Sequence, residues 1–305
     1  MTRTDADLSK AIIAAAAEVT KAVSAHALFA FTNAIDDLDA LKAAVQPPTK
    51  LLLICRDTAD EQRAKDAGVQ CMIVPDFDLT RMGQIKMATL LAFSQGLLAK
   101  DDVFVFLSGV SGRSADTVVA MRVGEEYELF QSVGQPKLTE HIRRPVFEKV
   151  LRLALELAHQ GREGKPVGTL FVIGDHREVA KYYAPGRINP FRGYSEKARN
   201  ILDDSINDVV KEISKLDGAF IIKGNGVIVA ACVTLRAAVS GEPLPQGLGA
   251  RHAAAAAITA CTRSIAISLS ESTGDVRVWR RGAMITEIEK SVQTLPGGTA
   301  PAGLG

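Results

Sequence analysis

The sequence predicts an α/β protein in two parts, an N-terminal parallel α/β sandwich followed by a mixed-sheet α/β domain. Three observations carry this prediction. Apolar runs alternate with segments of helical periodicity from residue 1 to about 130. A polar stretch, GQPK at 134–137, then interrupts the pattern. Beyond it, β-branched runs follow one another mostly across turns instead of helices. A chain of 305 residues has the length of about two domains. The expected boundaries are 1–133 and 138–290, with a Pro/Gly-rich, disordered tail at 294–305.

In the first part, AIIAAAAEVTKAV is helical and ALFAFT (27–32) is a short apolar strand. LDALKAAV is helical, KLLLICR (50–56) is apolar again, and the polar EQRAKDAG leads into VQCMIVP (69–75). MGQIKMATLLAFSQGLL has helical periodicity and DVFVFLSG (102–109) is the next strand of buried type. Such alternation describes parallel strands covered by helices. The segment Ser108–Thr117 is then expected to leave a strand and open a helix, an arrangement able to hold a small anionic effector as well as to make an ordinary turn.

In the second part, RRPVFEKVLRLALELAHQGREG (143–164) is an amphipathic helix stopped at Gly161. The strands are VGTLFVIGD (167–175), GAFIIKG (218–224), VIVAACVTL (227–235), SIAISLSE (264–271) and VRVWRRGAMITEI (276–288), the last a hairpin turning at Arg281-Gly282. GNG at 224–226 signals another hairpin. NILDDSINDVVKEISKL (200–216) is read as the helix delivering the chain to Asp217.

Bulk properties remove several classes of function. A formal net charge of +1 offers no bulk attraction to nucleic acid or an acidic membrane. No apolar run approaches the roughly 20 residues a bilayer requires, and MTRTDADLSK is not the start of a signal peptide. Cys55, Cys71, Cys232 and Cys261 lie in apolar runs without CxxC or Cys/His spacing, so they read as reduced, packed thiols of a cytoplasmic protein. The P-loop, GxGxxG, HExxH, GxSxG and kinase signatures are absent.

Three short segments of the second part remain. LDGAFIIKGNG sets Asp217-Gly218-Ala219 between a helix and a strand. GLGARHAAAAAIT (247–259) puts Arg251 and His252 in the first turn of an alanine-rich helix, whose N-terminal amides and dipole suit an anion. SLSESTG (268–274) sets Ser270 and Glu271 at the end of a strand. Each has a plain account as a turn, a solvated cap or a polar loop. Together they supply carboxylates for a metal, cations for a polyphosphate and a hydroxyl, the set that metal-assisted phosphoryl or nucleotidyl transfer needs.

The run DGAFIIKGN, AACVTL, LGARHAAAAAI and ISLSESTG, preceded by VGTLFVIGD, resembles the catalytic domain of diadenylate cyclases over residues 140 to 290. The family's hallmarks are Asp-Gly-Ala and Arg-His-Arg. This chain departs from them with Ala250 where Thr is common and Ala253 where the third motif residue is Arg. The archaeal-type branch, which reads Arg-His, then a small or apolar residue, then Ala-Ala, carries an N-terminal domain similar to the C-terminal domain of pyruvate kinase. Residues 1–130 resemble that domain, DVFVFLSGVSGRSADTVV looking like its strand, glycine loop and helix.

The resemblance implies a metal-dependent enzyme, using Mn²⁺ or Mg²⁺, that condenses two ATP into cyclic di-AMP and two pyrophosphates. It implies self-association with catalytic domains face to face. Carried over position by position, it gives Asp217 as catalytic carboxylate and metal ligand with Glu271 as a second ligand. Gly218 and Ala219 would lie close to the nucleotide, Leu235 against adenine, and Gly249, Ala250, Arg251 and His252 at the phosphates, with Ser270 bonding a phosphate oxygen. The alternative is a catalytically degenerate sensor binding ATP or cyclic di-AMP, its turnover lost through Ala253. A third possibility makes the pyruvate-kinase-like half the working part of a regulator. Retention of both Asp217 and Arg251 favours the enzyme, since a sensor needs no metal-binding carboxylate.

Overall fold

In the computed structural model, residues 3–77, 79–109, 115–124, 141–184, 188–237 and 249–290 are described. The polar break at 134–137, Gly247 and the tail lie outside them.

The first half runs α1 (Arg3–Ala22), β1 (Ala27–Phe31), α2 (Leu38–Ala44), β2 (Lys50–Cys55), α3 (Thr58–Asp66), β3 (Gln70–Ile73), α4 (Arg81–Ser94), β4 (Val103–Gly109) and β5 (Ala115–Arg122). Side-chain caps start three of the helices: Asp37 accepts from the Ala40 amide, Asp57 from that of Asp60, and Thr80 from that of Gly83. The sheet order is β3-β2-β1-β4-β5, parallel except for the β4–β5 pair. The segment after β4 therefore departs from expectation. Residues 115–122 return as an antiparallel edge strand instead of opening a helix, because consecutive β-branched Thr117-Val118-Val119 prefer the pleated surface. Residues 110–114 of the expected effector loop are outside the described chain.

The second half runs α5 (Arg144–Gln160), β6 (Thr169–Ile173), α6 (His176–Val179), β7 (Tyr183–Ala184), α7 (Asn207–Ile213), β8 (Ala219–Ile222), β9 (Ile228–Leu235), α8 (Ala250–Cys261), β10 (Ile265–Leu269), β11 (Val276–Arg280) and β12 (Ala283–Ile288). The seven strands order as β12-β11-β10-β6-β8-β9-β7 and make a mixed sheet, with β6 and β8 parallel and the other pairs antiparallel. The helix expected over 200–216 is shorter. Asn200 and Asp203 turn their side chains onto the amides of Leu202 and Ser205, which holds the first residues in turns, and α7 starts only at Asn207.

The halves share a core. One apolar cluster runs from Phe29, Phe31 and Ile54 of the first sheet through α4 to α5, β6, β10, β11 and β12 of the second half. Residues Gly83–Ala92 of α4 are all buried, and α4 packs on β12. Lys86 Nζ, almost wholly buried, pairs with Glu289 Oε1 at 3.1 Å, and Leu79 bridges Lys290 through the backbone. No helix among the described residues is long and apolar enough to cross a membrane.

Candidate active site

The strand order brings three loops to one sheet edge. Strand β6 lies between parallel β8 and antiparallel β10, so the start of β6, the start of β8 and the end of β10 point the same way. Asp217 precedes β8 and Glu271 follows β10. Helix α8 begins above them with Gly249 as an extended N-cap that offers no side-chain oxygen to its first amides. Arg251, in that first turn, spans the edge: one guanidinium nitrogen is 3.2 Å from Asp217 Oδ1 and another 3.2 Å from Glu271 Oε2. Its buried Nε has no partner.

Gly168, just before β6, makes room for this bridge. A Cβ there would sit 2.6 Å from an Arg251 guanidinium nitrogen and 2.9 Å from Glu271 Cβ. Gly168→Ala is expected to displace the guanidinium and lower turnover by roughly 10²-fold while the circular dichroism spectrum stays unchanged. Wild-type turnover in that variant would show that Arg251 needs no such clearance.

His252 sits deeper, 5% exposed. Arg277 can only donate, and its guanidinium lies 2.7 Å from Nε2, so Nε2 is the acceptor and Nδ1 carries the proton toward Ser268 Oγ at 2.9 Å. Ser268 also accepts from the Trp279 indole at 2.8 Å. Arg277 is in turn held by Glu287 and lies near Asp275. Burial first, and the Arg277 cation second, lower the His252 pKa to about 4. In this structure the ring expected at the phosphates is bonded to Arg277 and Ser268. With both ring nitrogens taken and its charge suppressed, His252 positions Arg277 and the start of α8.

The unfolded chain takes up this proton below pH 6.5, whereas the native ring refuses it until about pH 4. The stability contributed is therefore complete above pH 6.5 and drains away as pH falls toward 4. Melting temperatures across that window are expected to fall in the wild type and to fall less in His252→Asn. Parallel slopes would remove His252 from the acid response.

The site opens on a cavity of about 910 Å³ lined by Asp217, Gly249, Ala250, Arg251, His252, Ser270 and Glu271, together with Arg277 and Pro166. Ser270 Oγ accepts from the Thr273 amide and lies 3.2 Å from Ser272 Oγ. Gly218 and Ala219 do not line the cavity. Gly218 has φ +111°, and a Cβ there would meet the Cys232 carbonyl carbon at 2.6 Å, where β9 bulges with Cys232 itself at φ +57°. Ala219 is buried between Leu170 and Val233. Leu235 is also outside the lining, but the pairing of Ala219 with Val233 carries it to the edge from which Asp217 projects, beside Tyr183. Gly168, Arg277 and Pro166 were not among the residues singled out from sequence. Gly168 had a signal, a glycine immediately before a buried strand, whereas Arg277 looked like any polar residue in an alternating hairpin.

Residues 156–284 match the DAC family model, described as "DisA bacterial checkpoint controller nucleotide-binding", and residues 8–130 match "Probable sensor domain DacZ_P". A diadenylate cyclase of Haloferax volcanii is 39% identical over 204 residues, covering 65% of this chain and 72% of that one. A diadenylate cyclase of Methanocaldococcus jannaschii is 36% identical over 187 residues, covering 59% and 57%. The crystal structure of DacA from Staphylococcus aureus superposes with a TM-score of 0.31 at 23% identity, over 46% of this chain and 83% of that one.

Proposed function

The chain belongs to the diadenylate cyclase family, and from that premise we propose that it joins two ATP molecules into cyclic di-AMP with release of two pyrophosphates. The observation that carries this reading is Arg251 at the uncapped start of α8, bridging Asp217 and Glu271 at the cavity. Both carboxylates are largely exposed, so their pairs with Arg251 contribute little and yield readily. A triphosphate outcompetes them for the guanidinium, because phosphate oxygens accept charge-assisted bonds while the first α8 amides add donors.

Asp217 and Glu271 then face the phosphates as free, hard oxygen donors. Among the described residues no cluster of three ligating side chains occurs. Asp217 and Glu271 would hold Mg²⁺ or Mn²⁺, ions that prefer hard oxygen donors of this kind. When bound, such an ion supplies neutralisation of the developing charge.

The 3′-oxygen of one ATP forms a bond to the α-phosphorus of the other as the bond from that phosphorus to the bridging oxygen breaks. The electron pair leaves with pyrophosphate, and the hydroxyl proton passes to the Asp217 carboxylate that the triphosphate has freed from Arg251. Ser270 donates to a phosphate oxygen. The adenine packs toward Leu235 and Tyr183, one strand beyond Asp217. One chain offers one such set, so two copies meet about a twofold axis and each contributes one nucleotide.

The test is incubation of the purified protein with ATP and Mn²⁺ or Mg²⁺, with products resolved by mass. Cyclic di-AMP and pyrophosphate in a 1:2 ratio are the expected result, at a rate per subunit that rises with protein concentration. ATP binding without turnover would replace this reading with that of a sensor.

A further inference from the structure

A second cavity of about 280 Å³ adjoins the candidate active site and shares with it Pro166 and the loop Ser270–Thr273. Its far wall is the C-terminal end of α5 and the turn after it, and Lys290 closes it. We propose that this annex receives the pyrophosphate end of the bound nucleotide and holds it as the leaving group, with Lys165 and Lys290 as its cations. The proposal rests on the cyclase reading above for its ligand, and on the following geometry for its place.

The turn Arg162–Lys165 is closed by reciprocal backbone bonds of 2.9 and 3.0 Å and shaped by Glu163 and Gly164 at φ +53° and +74°. Gly161 approaches it so closely that a Cβ would meet the Lys165 carbonyl oxygen. This turn fixes the backbone of Lys165 at the cavity wall, and among the described residues its exposed ammonium has no carboxylate partner. The contrast with its neighbours is sharp: Arg162 is paired with Glu212, Lys215 with Glu212 and Glu163, and Lys211 with Glu156.

Lys290 donates to the His159 carbonyl at 3.2 Å, which offsets the partial negative charge of the α5 terminus and leaves further N–H groups for a ligand. Glu271 is the one carboxylate among the described lining residues, and Lys165 and Lys290 outnumber it. The hydroxyls of Ser270, Ser272 and Thr273 form the shared wall. The result is a small, cationic, hydroxyl-lined space with the chemistry of a diphosphate site, adjoining the cavity that Arg251 lines.

Calorimetric titration of the full chain with sodium pyrophosphate, and separately with AMP, tests this. Lys165→Ala and Lys290→Ala are each expected to weaken pyrophosphate binding roughly tenfold, the loss of one charge-assisted contact. Lys165→Arg should retain most of the affinity, and AMP, which has no β- or γ-phosphate, should bind all variants alike. Because Lys290 also caps α5, its variant is judged beside a melting curve and against Lys290→Arg. Unchanged pyrophosphate affinity in Lys165→Ala, absence of pyrophosphate binding in the wild type, or equal losses for AMP would each overturn the proposal. A wild type that makes no cyclic di-AMP while Lys165→Ala still loses pyrophosphate would defeat the cyclase reading and leave the annex standing.

Discussion

Asp217→Asn is expected to abolish cyclic di-AMP formation, by on the order of 10²–10⁴-fold, while ATP binding and the melting temperature stay close to wild type. The side chain is almost fully exposed, its one described partner is Arg251, and the amide oxygen of asparagine can keep that contact. Folding therefore has little stake in the carboxylate. On the proposed mechanism chemistry has a large one, because asparagine can neither take the hydroxyl proton nor bind a divalent ion with comparable strength. Product formation above a tenth of wild type would remove Asp217 from the role assigned to it.

Arg251→Ala should lose a comparable amount of activity for a different reason, and should also lose ATP affinity. Removing one preorganised donor to developing charge costs on the order of 10²–10³ in rate. Here the substitution also leaves Asp217 and Glu271 without the cation between them, so two carboxylates confront an incoming triphosphate. The expected signature is a raised KM with a lowered kcat, partly relieved by high salt as the repulsion is screened. Ala253→Arg, two residues along the same helix, should change activity far less, since no described contact of the site passes through residue 253. Activity in Arg251→Ala at wild-type KM, or a silent wild type awakened by Ala253→Arg, would defeat the assignment.

Much of this architecture is legible in the sequence. The 3.6-residue pattern of 144–160 ending on Gly161 and the apolar runs that became β1, β2, β6 and β10 needed only local rules. The family resemblance rested on Asp217-Gly218-Ala219 and Arg251-His252, and the comparisons with archaeal diadenylate cyclases support it. What the sequence withheld was spatial. Arg251 meets Asp217 and Glu271 only because β6 lies between β8 and β10, an order that no run of residues announces. The demand on Gly168 comes from a guanidinium far along the chain, and the neutrality of His252 from its burial first and an arginine on β11 second. Gly218 is expected near the nucleotide because Asp-Gly-Ala is a family motif, and its fit against the bulge at Cys232 is a second demand that shows only in space. The expectation that Ser108–Thr117 opens a helix follows from how commonly a glycine-containing loop after a strand does so, whereas the β-branched run Thr117-Val118-Val119 favours the strand observed.

The burial of α4 on both sides has a consequence for how the protein comes into being. One side of that helix meets the first sheet, which is complete once Arg122 has been synthesised, but the other meets β12, among the last strands made. Between Ser94 and Ile288 lie about 190 residues, so at 5–20 residues per second the helix waits roughly 10–40 s for its second partner. Through that interval a nascent chain carries an uncovered apolar stripe next to a finished sheet. Slowed translation in the second half of the message should therefore lower the yield of native protein more than the same delay in the first half.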